Sequence, residues 1–138
     1  MVKTLKEKVK DIFQQNRSLI CPAFPNEEII FNAKGINHLF YKGSRRKRLA
    51  SRIKANLRLL PRAIELLKKM PIPQEEDSYT KDKKKYNFWA FEGVVDSRRI
   101  KVIIRQVGNG KKHFWSVIPF WRKKRFGVRN SKSPLKDL

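Results

Sequence analysis

The chain has 138 residues, a length typical of one compact domain, and its apolar content of 40% is too high for a disordered basic tail. With 34 lysines and arginines against 12 aspartates and glutamates, the formal net charge is +22, which predicts a polyanionic partner. A single cysteine excludes an internal disulfide framework, and no apolar run approaches the ~20 residues that a membrane-spanning helix needs. We therefore expect a cytoplasmic location and no membrane partner.

The N-terminal part of the sequence predicts two short helices separated by a proline-rich connector. Residues 1–26 comprise the first helix and the connector, because the prolines of Cys21–Pro25 end the helical pattern. The first helix carries one apolar stripe with spacings of three and four: Val2, Leu5, Val9, Ile12 and Phe13. Glu28–Phe31 is a short β-prone run, and Gly35–Tyr41 predicts one or two helical turns that include His38.

A longer basic helix is predicted next, with Ser44 as its N-cap. Its apolar stripe consists of Leu49, Ile53, Leu57, Leu60, Ile64 and Leu67. Pro61 interrupts this stripe and predicts a kink, or a stop followed by a second helix. Because a small domain needs the stripe for its core, we expect the basic side to contact nucleic-acid backbone rather than a membrane, with a purely solvated face as the alternative. The candidate phosphate contacts are Lys42, Arg45, Arg46, Arg48 and Arg52.

The C-terminal part changes to a period of two. Pro71–Asp77 is predicted as a loop, which the charge run Lys81–Lys85 extends. Three β-branched or aromatic runs follow and predict an antiparallel meander: Tyr86–Val95, Arg99–Val107 and Lys112–Phe120. The fold class is therefore α+β, with the N-terminal helices packed on one face of the meander. We expect a single domain of residues 27–121, followed by a basic extension of residues 122–138.

The last hairpin predicts how side chains sort onto the two faces of the sheet. If Asn109 and Gly110 are the central turn residues, Arg105 lies opposite Phe114. One face then collects Ile100, Val102, Ile104, Trp115 and Val117, and we expect it under the helices. The other face, which carries Arg105 and is called the second face below, collects Lys101, Ile103, Arg105, Lys112, Phe114 and Ser116. It is either an ordinary solvated surface or a platform for phosphates and bases, and the net charge favours the platform.

Few groups in the chain could transfer protons or bind metal. Its two histidines are far apart in the sequence and no cysteine pair is present, so we expect no metal site and no cofactor. His38 is either a half-buried packing residue or an acid/base group, and His113 falls at the edge of the core-side face in the predicted register. Glu92, the one carboxylate inside a predicted strand, is expected to pair with Arg99 or Lys101, with a role as general base as the alternative.

A glycine and a histidine at the start of an early helix precede two hydrophobic strands, in the segments Gly35–Leu39, Arg99–Gln106 and Lys112–Pro119. This order resembles the barnase–EndoU–colicin–RelE class of metal-independent ribonucleases, which occur in phages, mobile elements and bacterial toxin domains. The likeness covers about residues 28–121. It implies a sheet with helices on one face and RNA cleavage on or beside the other. The chain differs from barnase in having no glutamate base on the central strand, unless Glu92 serves.

The resemblance also implies roles for individual residues. His38 matches a helix histidine that acts as an acid/base or positioning group. Arg105, with Lys101 as a second candidate, matches the strand cation that stabilises the phosphorane. Ser116 matches a hydroxyl of the last strand that binds phosphate or orients the ribose, and His113 is the second histidine available for catalysis.

Together these observations predict a toxin-type endoribonuclease that cleaves RNA by attack of the 2′-hydroxyl, with tRNA as one candidate substrate. Lys101, Lys112 and Phe114 are the RNA-binding residues expected on the sheet. A toxin would further imply an acidic antitoxin or immunity partner, and export as the end of a larger protein is the second possible location. Two alternatives stay open: a non-catalytic RNA- or ribosome-binding protein, and a DNA-binding module with the helix from Arg45 in a groove.

Overall fold

The structure, a computed structural model, describes residues 4–42, 46–47, 50–119 and 135. Its described helices are α1 (Leu5–Gln15), α2 (Ala33–Phe40) and α3 (Ala50–Leu67). Its described strands are β1 (Ser18–Ile20), β2 (Glu28–Ile30), β3 (Tyr41–Lys42), β4 (Arg46–Lys47), β5 (Glu75–Lys81), β6 (Lys84–Val95), β7 (Arg98–Val107) and β8 (Lys112–Pro119). The predicted N-cap Ser44, the candidate contacts Arg45 and Arg48, and all of the basic extension except Leu135 lie outside the described residues.

Six of these strands form one sheet in the order β1-β2-β8-β7-β6-β5, and β3 pairs with β4 separately. Strands β5 to β8 form an antiparallel meander, whereas β2 runs parallel to β8 and carries β1 on its outer side. The main core lies between the helices and one face of this sheet. The predicted α+β class, with N-terminal helices on a C-terminal meander, is therefore confirmed.

Helix α1 is part of the main core. It begins after Thr4, whose side-chain oxygen accepts a hydrogen bond from the Glu7 amide at 3.1 Å. Phe13 is buried, and its ring meets those of Phe31 and Phe114 edge-on. Because β1 also belongs to the main sheet, the segment predicted as an N-terminal helix and connector packs into the same core as the rest of the chain.

Helix α2 lies against the backbone of β8. Asn32 begins it, with its side-chain oxygen accepting a hydrogen bond from the Lys34 amide at 3.1 Å. The approach to β8 is so close that a Cβ on Gly35 would collide with the carbonyl oxygen of Phe114. The glycine therefore sets how near α2 can come to the sheet. His38 lies in the last turn of α2, so its predicted place at the start of the helix is wrong.

Helix α3 continues through Pro61, so the predicted alternative of a stop and a second helix is wrong. Pro61 is exposed, and water can therefore hydrate the carbonyl that loses its helical partner. The opposite side of α3 packs into the core through Leu60, Ala63 and Leu67. This burial stabilises the helix despite the missing hydrogen bond.

The charged segment predicted as a loop before the meander is instead a strand. Glu75–Lys81 forms β5 at the edge of the sheet and joins β6 through a turn in which Asp82 and Lys83 have φ values of 52° and 65°. The sequence conceals this hairpin because an exposed edge strand is polar and the turn lacks an Asn-Gly pair. An equivalent turn at Asp96 and Ser97 joins β6 to β7.

The pairing of β7 with β8 differs from the predicted register at two of its six paired positions, both near the turn. Arg105 pairs with His113 rather than with Phe114. A β-bulge at Trp115 then inserts one extra residue, and from Ser116 onward the pairing is as predicted. Because side chains alternate along a strand, this change places Phe114 on the helix side and Trp115 on the second face, the reverse of the prediction.

Candidate functional site

The centre of the second face is a buried apolar floor, so the alternative of an ordinary solvated surface is wrong there. The floor consists of Phe88, Ala90, Ile103, Ile118 and Leu135, all of them buried. Leu135 also donates its backbone N–H to Asp77 Oδ2 at 3.4 Å. The ionisable groups of this face therefore lie around an apolar centre, in a lower dielectric environment than open water.

Lys112 and Phe114, predicted as RNA contacts on the second face, lie on the helix side. Lys112 Nζ binds both carboxylate oxygens of Glu27, at 2.7 and 2.8 Å, and lies over the rings of Phe24 and Trp89. Phe114 is fully buried in the main core. The shift in register put them there, and the prediction that they present a charge and a ring on the second face is therefore wrong.

Lys101 lies on the second face but is fully buried, and its Nζ is 2.6 Å from Glu75 Oε2. Glu92 is the residue directly opposite Lys101 in β6. Burial and the charge of Glu75 raise the pKa of Glu92, while the positive charges of Lys101 and Arg99 act in the opposite direction. Lys101 thus neutralises carboxylates inside the protein, and its predicted role as an accessible phosphate contact is wrong.

Three of the predicted catalytic residues converge on Trp115. The His38 imidazole stacks on the indole, with ring centres 3.9 Å apart and planes inclined by 16°. The Arg105 Cζ lies 3.9 Å from the centre of the Trp115 ring. Arg105 Nε also donates a hydrogen bond to His113 Nε2 at 2.9 Å. Side chains from α2, β7 and β8 therefore meet around one indole ring.

Burial keeps His113 in its neutral form. Together with the positive charges of Arg105 and Lys34, burial lowers the pKa of the imidazole from 6.5 to about 4, while a hydrogen bond with the backbone of Lys111 acts in the opposite direction. Since Nε2 accepts the hydrogen bond from Arg105, the single ring proton must reside on Nδ1. His113 is therefore suited to orient the guanidinium and poorly suited to transfer a proton at neutral pH.

Arg105 is the cation that this site can present to a ligand. Burial lowers its pKa, while Tyr79 and Tyr86 act in the opposite direction, and a guanidinium stays charged in proteins. Its Nε is engaged by His113, so the terminal amino groups are the donors that can bind two phosphate oxygens side by side. The indole of Trp115 fixes the plane of the guanidinium.

The partner of Arg105 differs from those of the nearby lysines. Three lysines of β7, β8 and the turn between them bind carboxylates, in the pairs Lys101–Glu75, Lys111–Glu28 and Lys112–Glu27. Arg105 is instead oriented by a neutral imidazole. A neutral acceptor fixes the direction of the guanidinium without cancelling its charge, so the electrostatic attraction for an anion is preserved.

Access to the site is uneven. Arg105 and Trp115 are half-buried and reach the surface, whereas His38 is 9% exposed and Ser116 is 1% exposed. Ser116 lies on the second face beside the bulge, but its hydroxyl offers a ligand almost no accessible area. A bound molecule would therefore contact Arg105 and Trp115 first.

Sequence reasoning missed three residues of this site. The predicted register contains no bulge and therefore puts Trp115 under the helices, and the loop predicted before the meander conceals the strand that carries Tyr79. Tyr79 and Tyr86 stack on each other with ring centres 4.8 Å apart. The spacing of Tyr86 and Phe88 in β6 indicates an aromatic surface on one face of the sheet, because side chains two residues apart on a strand share a face.

The basic residues before and within α3 are placed by their backbone. Lys42 and Arg46 are register partners in the β3–β4 ladder, and Arg52 lies near the start of α3. Farther along α3, Lys54 and Arg58 are exposed. The exposed side of α3 therefore carries positive charge.

Among the described residues, no three His, Cys, Asp or Glu side chains come together in a way that could hold a metal ion. None of the described helices combines the length and the hydropathy needed to cross a membrane. Comparison with known proteins finds no matching family model, no matching curated protein and no matching solved structure. The ribonuclease resemblance thus rests on the sequence segments alone.

Proposed function

We propose that the protein is a metal-independent endoribonuclease in which Arg105 binds the scissile phosphate and His38 transfers a proton. The observation that carries this proposal is the orientation of a charged guanidinium by the neutral His113, on the same indole that His38 stacks against. The net charge of +22 supports RNA as the polyanion that the protein meets.

In the proposed reaction the ribose 2′-oxygen forms a bond to phosphorus while the bond from phosphorus to the 5′-oxygen breaks. The proton of the 2′-hydroxyl passes to a base, and the departing 5′-oxygen receives a proton from an acid. His38 is the residue proposed for one of these transfers. Arg105 stabilises the negative charge that develops on the phosphoryl oxygens, a contribution of roughly 2.7–4 kcal/mol for one preorganised donor.

Incubation of the purified protein with total RNA in EDTA should give discrete cuts that end in 2′,3′-cyclic phosphate. Arg105→Ala and His38→Ala should each lower the cleavage rate by ~10²-fold or more, the range for loss of one donor or one acid/base group. Lys69→Ala is the matched control, because Lys69 is exposed in the turn that follows α3 and pairs with Glu65. That variant should cleave at the wild-type rate.

His113 should behave as a positioning residue rather than as a catalytic residue. His113→Ala should lose activity, whereas His113→Gln should retain most of it, because the glutamine oxygen can accept the same Nε–H from Arg105. The pH–rate profile of His113→Gln should match that of the wild type. Equal loss of activity in the two variants would argue against positioning.

A non-catalytic RNA-binding protein is the second candidate, and the burial of His38 and His113 favours it. Intact RNA in the EDTA assay, together with tight binding of the same RNA, would support this candidate. Cleavage that persists unchanged in both His38→Ala and Arg105→Ala would reject the enzymatic proposal. Equal affinity for RNA and duplex DNA in competition would remove the preference for RNA.

A further inference from the structure

Planar groups line up across the second face in the same order as the strands that carry them. Tyr79 of β5 and Tyr86 of β6 are register partners, with ring planes inclined by only 4°. The Arg105 Cζ on β7 lies 5.9 Å from the Tyr86 ring centre and 3.9 Å from that of Trp115 on β8. His38 of α2 stacks on Trp115 at the other end.

Tyr79 forms the end of this row at the edge of the sheet. Its strand, β5, is the outermost strand of the sheet in the described part of the chain. The ring is half-buried, and Tyr86 and Phe88 hold it from the β6 side, with ring centres 4.8 and 5.9 Å away. Part of a rigidly oriented aromatic ring thus reaches the surface on the same face as the Arg105 guanidinium.

We infer that a base of single-stranded RNA stacks on Tyr79 when a nearby phosphate of the same strand binds Arg105. This inference rests on the RNA-binding part of the proposed function. The Arg105 guanidinium and the Tyr79 ring lie in one row with Tyr86 between them, and they match the two parts of a nucleotide, an anionic phosphate and an aromatic base. Because a base inside a duplex is already stacked and paired, the contact requires an unpaired strand.

The experiment measures binding of a short, fluorescently labelled 2′-O-methyl oligonucleotide, which lacks the 2′-hydroxyl nucleophile and cannot be cleaved. Tyr79→Ala should raise the Kd by about tenfold, within the range measured for loss of one base–aromatic stack. Tyr79→Phe keeps the ring and is the matched control, with a Kd close to that of the wild type. Affinity for duplex RNA should be the same in all three proteins.

An abasic scan of the oligonucleotide identifies the base involved. At one position, removal of the base should raise the Kd of the wild-type protein by the same factor as the Tyr79→Ala substitution does. The Tyr79→Ala protein should bind this abasic oligonucleotide as well as it binds the intact one. If no position behaves in this way, the stacking inference is overturned. An equal loss of affinity for duplex RNA in Tyr79→Ala would also overturn it, because that result indicates a general structural defect.

The outcomes separate this inference from the proposed catalytic function. If one abasic position is coupled to Tyr79 but the protein leaves natural RNA intact, the base site is supported and the endoribonuclease proposal is rejected. If cleavage depends on Arg105 and His38 but no abasic position is coupled to Tyr79, the endoribonuclease proposal is supported and the base site is rejected.

Discussion

At the scale of single residues, the environment of Arg105 explains why this cation can bind an anionic ligand and the neighbouring lysines cannot. Lys101 and Lys112 are as buried as Arg105 or more so, but each is 2.6–2.7 Å from a carboxylate oxygen. Such pairs satisfy buried ammonium groups and leave little field outside the protein. His113 satisfies one N–H of Arg105 without supplying a negative charge.

The neutral state of His113 predicts a pH dependence of stability. Its pKa is about 4 in the folded protein and near the ordinary 6.5 when unfolded, so the unfolded chain binds the extra proton between these values. The contribution of the neutral His113 to the free energy of unfolding is fully present above pH 6.5 and is lost as the pH falls toward 4. The wild type should lose about 3 kcal/mol of unfolding free energy over this window from this residue alone.

Urea unfolding at a series of pH values, with His113→Gln as the reference protein, isolates this contribution. The variant lacks the titrating group and should lose less stability than the wild type as the pH falls below 6.5. The carboxylates and every charge other than that of His113 are common to both proteins and cancel in the comparison. Parallel curves for the two proteins would show that His113 is protonated in the folded state as readily as in the unfolded state.

At the scale of elements, the approach of α2 to β8 and the bulge in β8 together form the site. The bulge turns Trp115 to the second face, and the short distance at Gly35 brings α2 near enough for His38 to stack on the indole. The stacked arrangement therefore depends on backbone geometry that the side chains involved do not encode.

Gly35→Ala should destabilise the protein by about 1–3 kcal/mol, because the new Cβ would overlap the carbonyl oxygen of Phe114, which cannot move without its strand. The sign of this change in the free energy of unfolding is informative, because replacing glycine by alanine inside a helix otherwise stabilises a protein by about 1 kcal/mol. The measurement is the free energy of unfolding in urea.

Gly93→Ala is the matched control for this substitution. Its Cβ would meet Leu66 Cδ1 at 2.6 Å, the end of a side chain that can rotate away, so we expect a smaller loss. A Gly35→Ala protein as stable as the wild type would show that the gap between α2 and β8 is wide enough for a methyl group.

At the scale of the whole molecule, the helices of the described part of the chain expose a group of cations. Carboxylates neutralise the lysines of β7, β8 and their connecting turn, whereas the outer sides of α1 and α3 expose several cations. These include Lys6, Lys8 and Lys10 of α1, Lys54 and Arg58 of α3, and Lys68 directly after α3. We expect the helical layer to attract RNA at long range and the second face to bind one short segment of it.

This distribution predicts a steep dependence of RNA affinity on salt. The logarithm of the association constant should fall linearly with the logarithm of the KCl concentration, by about 0.7 for each phosphate bound on a single strand. Lys54→Gln combined with Arg58→Gln should make the slope shallower by about 0.7 for each phosphate that the variant no longer binds. Fluorescence anisotropy over a KCl series provides the measurement, and a slope that both substitutions leave unchanged would place the electrostatic contacts elsewhere.

The local patterns of the sequence were sufficient to predict the α+β class, because helical stripes and strand alternation depend on residues close together in the chain. They also selected His38, Arg105 and His113, which the structure brings to one indole ring. The polar edge strand β5 escaped detection, since exposure removes the apolar alternation that marks a strand.

Only the tertiary structure decided which side chains share the second face. One additional residue in a strand exchanges the faces of the residues beside it, so the bulge at Trp115 reversed the predicted positions of Phe114 and Trp115 while leaving those from Ser116 onward unchanged. The parallel pairing of β2 with β8 and the contact of α2 with β8 join segments far apart in the chain. Packing of the whole core selects such contacts, and no local period in the sequence records them.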